Sequence, residues 1–159
     1  MHRQTRKMKI MTREEKELLL IDLSARLHYG VMVDYENHIY VINEIDPSCK
    51  DIDYITVRIQ DAERFMCAES VMIENVKPYL RPMSSMTEEE VTELAYKVFQ
   101  QPDIDIIRRW VFENKSYPSI DGNPVMVIDW LNVRHFDYRG LIEKGLAIEA
   151  PEGMYEIQN

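Results

Sequence analysis

Apolar residues follow two rhythms along this chain, and the change falls at 75–90, NVKPYLRPMSSMTEEE. Before it they alternate as in strands; after it they recur every three or four positions, the period of an amphipathic helix. Pro78 and Pro82 each lack a backbone donor and bias the preceding residue away from helix, so the joint is extended or tightly turned. Val76, Tyr79 and Leu80 give it an apolar edge that can lie against a core. Thr87 with three glutamates behind it is a capping box, in which Thr87 and Glu90 satisfy each other's amides, and it predicts a helix start.

In the first half, 12–15 (TREE) is a second capping box, and 14–27 reads as a helix. Its apolar stripe is Leu19, Leu20, Leu23 and Leu27, widened by Leu18 and Ile21. Glu15, Lys16, Asp22 and Arg26 fall largely outside the stripe, and Gly30 is placed to end the helix. The runs 31–35 and 38–45 around Glu36 and Asn37 predict a hairpin. Residues 53–60, DYITVRIQ, alternate strictly, with Ile55, Val57 and Ile59 on one face. One or two further short strands are expected over 64–73, around Phe65, Cys67, Val71 and Ile73. Short strands this close together, after one helix, predict a small SH3-like antiparallel β-barrel.

In the second half, Val91, Leu94, Ala95, Val98 and Phe99 mark one helix, and Ile104, Ile107, Trp110 and Val111 another, with Asp103 as its cap. The stretch 114–124 is a loop turning at Asp121 and Gly122. Asn123 followed by Pro124 is an N-cap with proline at the first helical position. Asp137 can cap a further turn that Gly145 stops. Residues 146–157, with Pro151, Glu152 and Gly153 in the middle, read as a terminal hairpin. The expected fold class is α+β: a basic disordered arm over 1–10, a helix plus SH3-like barrel over 11–82, and a helical segment ending in a β-hairpin over 83–159.

Composition narrows the function classes. The chain has 159 residues, 45% hydrophobic and 30% charged, as expected of a globular protein. No apolar run approaches the roughly 18 residues of a membrane span, and no signal-peptide pattern is present. Two cysteines, Cys49 and Cys67, are too few and too far apart for a disulfide framework or metal site, so reduced thiols in the cytoplasm are expected. The formal charge is −9 although the first ten residues are basic, which disfavours nucleic acid as a general partner.

Candidate chemistry is sparse. His135, Phe136 and Asp137 put an imidazole near a carboxylate, but two groups complete neither a general-base site nor a metal site. Asp103 and Asp105 resemble a metal-binding pair less than a cap. Gly140 and Gly145 are too few to cradle phosphate. Cys67 fits a core position. The expectation is a non-enzymatic protein with no cofactor and no metal. Tyr29, Tyr35, Tyr40, Tyr54 and Tyr79 are the candidate contacts for a protein or peptide partner, since tyrosine offers a large surface with a polar tip. The alternative is a nucleic-acid-associated regulator, in which a winged-helix-like end presents Arg134, His135, Tyr138, Arg139 and Lys144. Acidic residues in the same stretch, Asp129 and Asp137 among them, oppose that alternative.

The run 129–155, DWLNVRHFDYRGLIEKGLAIEAPEGMY, with NVKPYLRPMSSMTEEE and the MTREEKELLL that begins at Met11, resembles a group of uncharacterised proteins of gut bacterial and phage-related genomes. The resemblance covers most of the chain from Met11 onward and leaves out 103–123. It implies a bacterial or phage setting in the cytoplasm.

Overall fold

The computed structural model describes residues 10–46, 48, 50–64, 68–113, 117–118 and 123–156. Helix α1 (Arg13–Arg26) starts at the anticipated capping box: the Glu15 amide donates to Thr12 Oγ1 at 3.2 Å, and the Thr12 amide donates to the Glu15 carboxylate at 2.8 Å. A 3₁₀ turn (Leu27–Tyr29) and Gly30, with φ at 67°, end it.

Five strands follow: β1 (Met32–Tyr35), β2 (His38–Ile45), β3 (Thr56–Asp61), β4 (Glu69–Met72) and β5 (Lys77–Leu80). Glu36 and Asn37 both take positive φ, the conformation that lets a two-residue turn follow the sheet's twist, and they join β1 to β2 as expected. Helix α2 (Glu88–Glu93) runs on into a π-helical segment (Leu94–Val98), followed by α3 (Ile104–Glu113) and α4 (Pro124–Val133). Asn123 caps α4 by accepting from the Val125 amide at 3.0 Å. A short strand, β6 (Ile148–Glu149), comes last.

The strand order is β4-β3-β2-β1-β5-β6, antiparallel throughout except for β5 and β6, which run parallel. The fold is thus α+β with an N-terminal helix, and three expected features are corrected. Among the described residues β4 and β6 are two separate edges, so the sheet is open and the SH3-like barrel does not close. A second correction concerns the terminal hairpin. Residues 148–149 pair with Tyr79 and Leu80 instead of with the described residues after Gly153, and the Ala150 amide donates to the Leu80 carbonyl at 2.7 Å. The free edge of β5 was a better partner than a short return strand, and 151–156 is left as turns.

The third correction lies on α1. Asp22 and Arg26 are fully buried and Lys16 nearly so, while Ile21 is exposed. Arg26 sits seven residues from Leu19, two turns along the same face, and that face meets the far end of the chain as well as the sheet. Leu19, Leu23, Val33, Ile42, Val57, Ile59 and Leu80 pack one core, joined by Leu141, Leu146 and Ala147. Val91, Leu94, Phe99, Ile107, Val127, Leu131 and Phe136 pack a second. Ile10 is exposed; the rest of the basic arm, the strand positions Phe65 and Cys67, and the turn at Asp121 and Gly122 lie outside the described residues.

Candidate functional site

Beyond β5 the chain stays extended for one more residue, and this sets the geometry of the site. The Arg81 amide donates to the His135 carbonyl at 2.8 Å, and the Asp137 amide donates back to the Arg81 carbonyl at 2.7 Å. The Arg81 guanidinium lies over the Phe136 ring, 4.1 Å from its centre, and makes a two-pronged ion pair with Glu90, both bonds 2.8 Å. Burial pushes the Glu90 carboxyl up, but Arg81, the Thr87 amide and the charge of Arg134 outweigh it and hold the group below its ordinary range. Glu90 therefore closes the capping box and anchors Arg81 at once.

Arg134, at the end of α4, repeats the arrangement one turn along α2. Its guanidinium lies 4.1 Å over the Trp130 ring and donates to Glu93 at 3.0 Å. The Phe136 and Trp130 rings are parallel within 7°, their centres 5.9 Å apart. Each ring therefore carries one guanidinium, and each guanidinium is neutralised by one glutamate of the same helix.

Behind this pair lies a buried polar network. Arg26 donates to both Asp22 oxygens, at 2.9 and 3.0 Å, and to the Phe136 carbonyl at 2.7 Å; Arg139 adds a bond to Asp22 at 3.1 Å. His135, with φ at 59° and 3% exposure, uses Nε2 on the Tyr29 carbonyl at 3.0 Å and stacks on Tyr155 with ring centres 3.9 Å apart. Burial, and next to it the positive Arg26, lowers its pKa to about 4, so the ring is neutral near pH 7.

Tyr155 ties the terminal segment to the sheet through its hydroxyl. Val33 pairs with Pro78, so Met32 and Tyr79 face each other one step further along. Between them sits the Tyr155 hydroxyl, which accepts from the Met32 amide at 2.9 Å and donates to the Tyr79 carbonyl at 2.9 Å. Burial drives its pKa far upward.

Between the 81–90 connection, the end of α4 and residues 149–156 opens a cleft of about 540 Å³. Arg81, Glu90 and Arg134 line it from the 81–90 connection and the end of α4, and Glu149, Glu152, Met154, Tyr155 and Glu156 line it from the terminal segment.

The sequence-derived candidates fall in different places. Of the five tyrosines, Tyr35 and Tyr40 meet edge to face, 5.9 Å apart, at the margin of the sheet core. Tyr79 lies half-buried on the opposite sheet face, with its hydroxyl 3.5 Å from Asp34. Tyr54 is 66% exposed on a 3₁₀ turn, and Tyr29 is exposed at the end of α1. They do not form one groove. In the basic group, Arg134, His135 and Arg139 are engaged as described, and the Tyr138 hydroxyl donates to Asn132 at 2.8 Å, leaving Lys144 exposed. Asp137 caps the next turn through the amides of Leu141 and Ile142, apart from His135's own bond, and Asp103 accepts from the Asp105 amide. No group of three metal-ligating side chains occurs among the described residues, and no described helix is long and apolar enough to cross a membrane.

Arg81, Glu90, Trp130 and Tyr155 were not flagged by the sequence. Glu90 stood out only as a cap, and nothing local marks the others. Compared with family models, curated proteins and solved structures, the chain matches none.

Proposed function

We propose that this chain is a non-enzymatic interaction module that binds a segment of another protein, working in the cytoplasm of a bacterium or in a phage-related setting. The observation that carries the reading is the cleft beside Arg81 and Arg134. Its volume accommodates a few residues of a peptide, and Pro82, Pro151, Met154 and Tyr155 give it apolar contact area among polar groups. Ring stacking and ion pairing fix both guanidiniums, so this wall is preorganised and loses little freedom on binding.

A second surface supports the same role. Helix α4 exposes Val125 at 63% and Met126 at 51%, with Val133 further along the same helix, an apolar surface that a large partner can extend onto.

The test is affinity co-purification from a bacterial lysate at low salt, with and without nuclease, using the wild-type chain and Ser85→Trp, which puts bulk into the cleft. A stoichiometric protein that survives nuclease and is lost with Ser85→Trp is the expected result. Recovery of nucleic acid alone, released at higher salt, overturns the proposal.

A further inference from the structure

The two walls of the cleft differ in electrostatic state, and this bears on what the cleft holds. On the α2 side, Arg81 is spent on Glu90 and Arg134 on Glu93. On the terminal side, Glu149, Glu152 and Glu156 are exposed, and among the described residues their carboxylates make no hydrogen bond or ion pair. Four glutamates and two arginines line the cleft, so the charge left over is negative and sits on one wall.

Resting on the interaction reading above, we infer that the cleft selects a basic segment of its partner, one carrying arginine or lysine side chains whose charged ends meet Glu149, Glu152 and Glu156. The aliphatic stems of such side chains lie against Pro151, Met154 and Tyr155, a division that long cationic side chains make readily. An acidic segment meets the same three carboxylates as repulsion and finds both arginines already paired. The net charge of −9 draws a basic partner in from a distance, and the cleft decides where it settles.

The experiment is fluorescence anisotropy on the full chain with three short labelled peptides: arginine alternating with serine, glutamate alternating with serine, and glutamine alternating with serine. The arginine peptide binds tightest, and its affinity falls as salt is raised. Joint reversal of Glu149→Lys and Glu152→Lys weakens it by about tenfold or more, whereas Glu44→Lys with Glu63→Lys, an equal change of net charge away from the cleft, weakens it far less. Equal loss in the two reversals overturns the inference, because attraction is then a property of the whole surface. Binding of the glutamine or glutamate peptide that Ser85→Trp abolishes also overturns it, while leaving the interaction reading intact. If no peptide binds and co-purification with Ser85→Trp matches wild type, both fall together.

Discussion

The Tyr155 hydroxyl accepts a hydrogen bond from the amide of Met32 at 2.9 Å, across 123 positions of sequence. It stands where the β1–β5 ladder would otherwise bring Met32 against Tyr79, and it donates to the Tyr79 carbonyl as well. Tyr155→Phe keeps the ring on His135 and leaves both backbone groups without that partner. Stability is expected to drop by about 2 kcal/mol, read as a lower urea midpoint at unchanged slope.

His135 makes stability depend on pH. Its folded pKa of about 4 lies below the ordinary imidazole value of 6.5, so between those limits the unfolded chain binds the proton and the folded chain does not. Stability contributed by the neutral ring is complete above pH 6.5 and is lost as pH falls toward 4. The loss amounts to about 3 kcal/mol over the window. Asparagine tolerates the positive φ at this position, so His135→Asn isolates the effect. Urea titrations between pH 4 and 6.5 should show the wild type losing more stability on acidification than the variant.

Asp22 and Arg26 form an ion pair with no exposed side-chain surface at all. Asp22→Ala leaves Arg26 charged in the interior and is expected to cost about 3–5 kcal/mol. The double variant Asp22→Leu with Arg26→Met removes both charges and should recover part of that loss. Recovery is incomplete because Arg139 and the Phe136 carbonyl each lose a partner. A double-mutant cycle by thermal or chemical denaturation measures the coupling.

Thr87 carries one half of the α2 capping box, and Glu90, the other half, also holds Arg81. Thr87→Ala removes a cap worth about 1 kcal/mol. Glu90→Gln keeps much of the capping geometry but strips the Arg81 pair of its charge. It should therefore weaken arginine-peptide binding in the anisotropy assay, because the freed guanidinium repels a basic ligand. A Glu90→Gln variant that binds the arginine peptide more tightly than wild type contradicts the arrangement described for the cleft.

What the sequence made legible was local. Both capping boxes, Gly30, the Glu36–Asn37 turn and the Asn123–Pro124 start each express a backbone demand within a few residues, and each is where the pattern put it. Misread features depended on distant partners. Asp22 and Arg26 looked like solvated charges because their partners, the Phe136 carbonyl and Arg139, lie more than a hundred positions away. The Leu146–Ala150 run looked like half a hairpin because nothing in it announces the open edge of β5. Nothing local singles out Arg81 within the 75–90 joint, although its backbone and side chain together set one wall of the cleft.

The parallel seating of β6 on β5 has a kinetic consequence. A ribosome releases α1 and the first five strands long before Ile148, Glu149 and Tyr155 have been made, so for that interval β5 keeps one bare edge and a gap opposite Met32. The nascent chain must carry that unfinished edge from the making of Leu80 until Ile148 and Glu149 follow, the condition under which partly folded chains associate wrongly. Completion comes late and all at once, when one short strand and one hydroxyl arrive together.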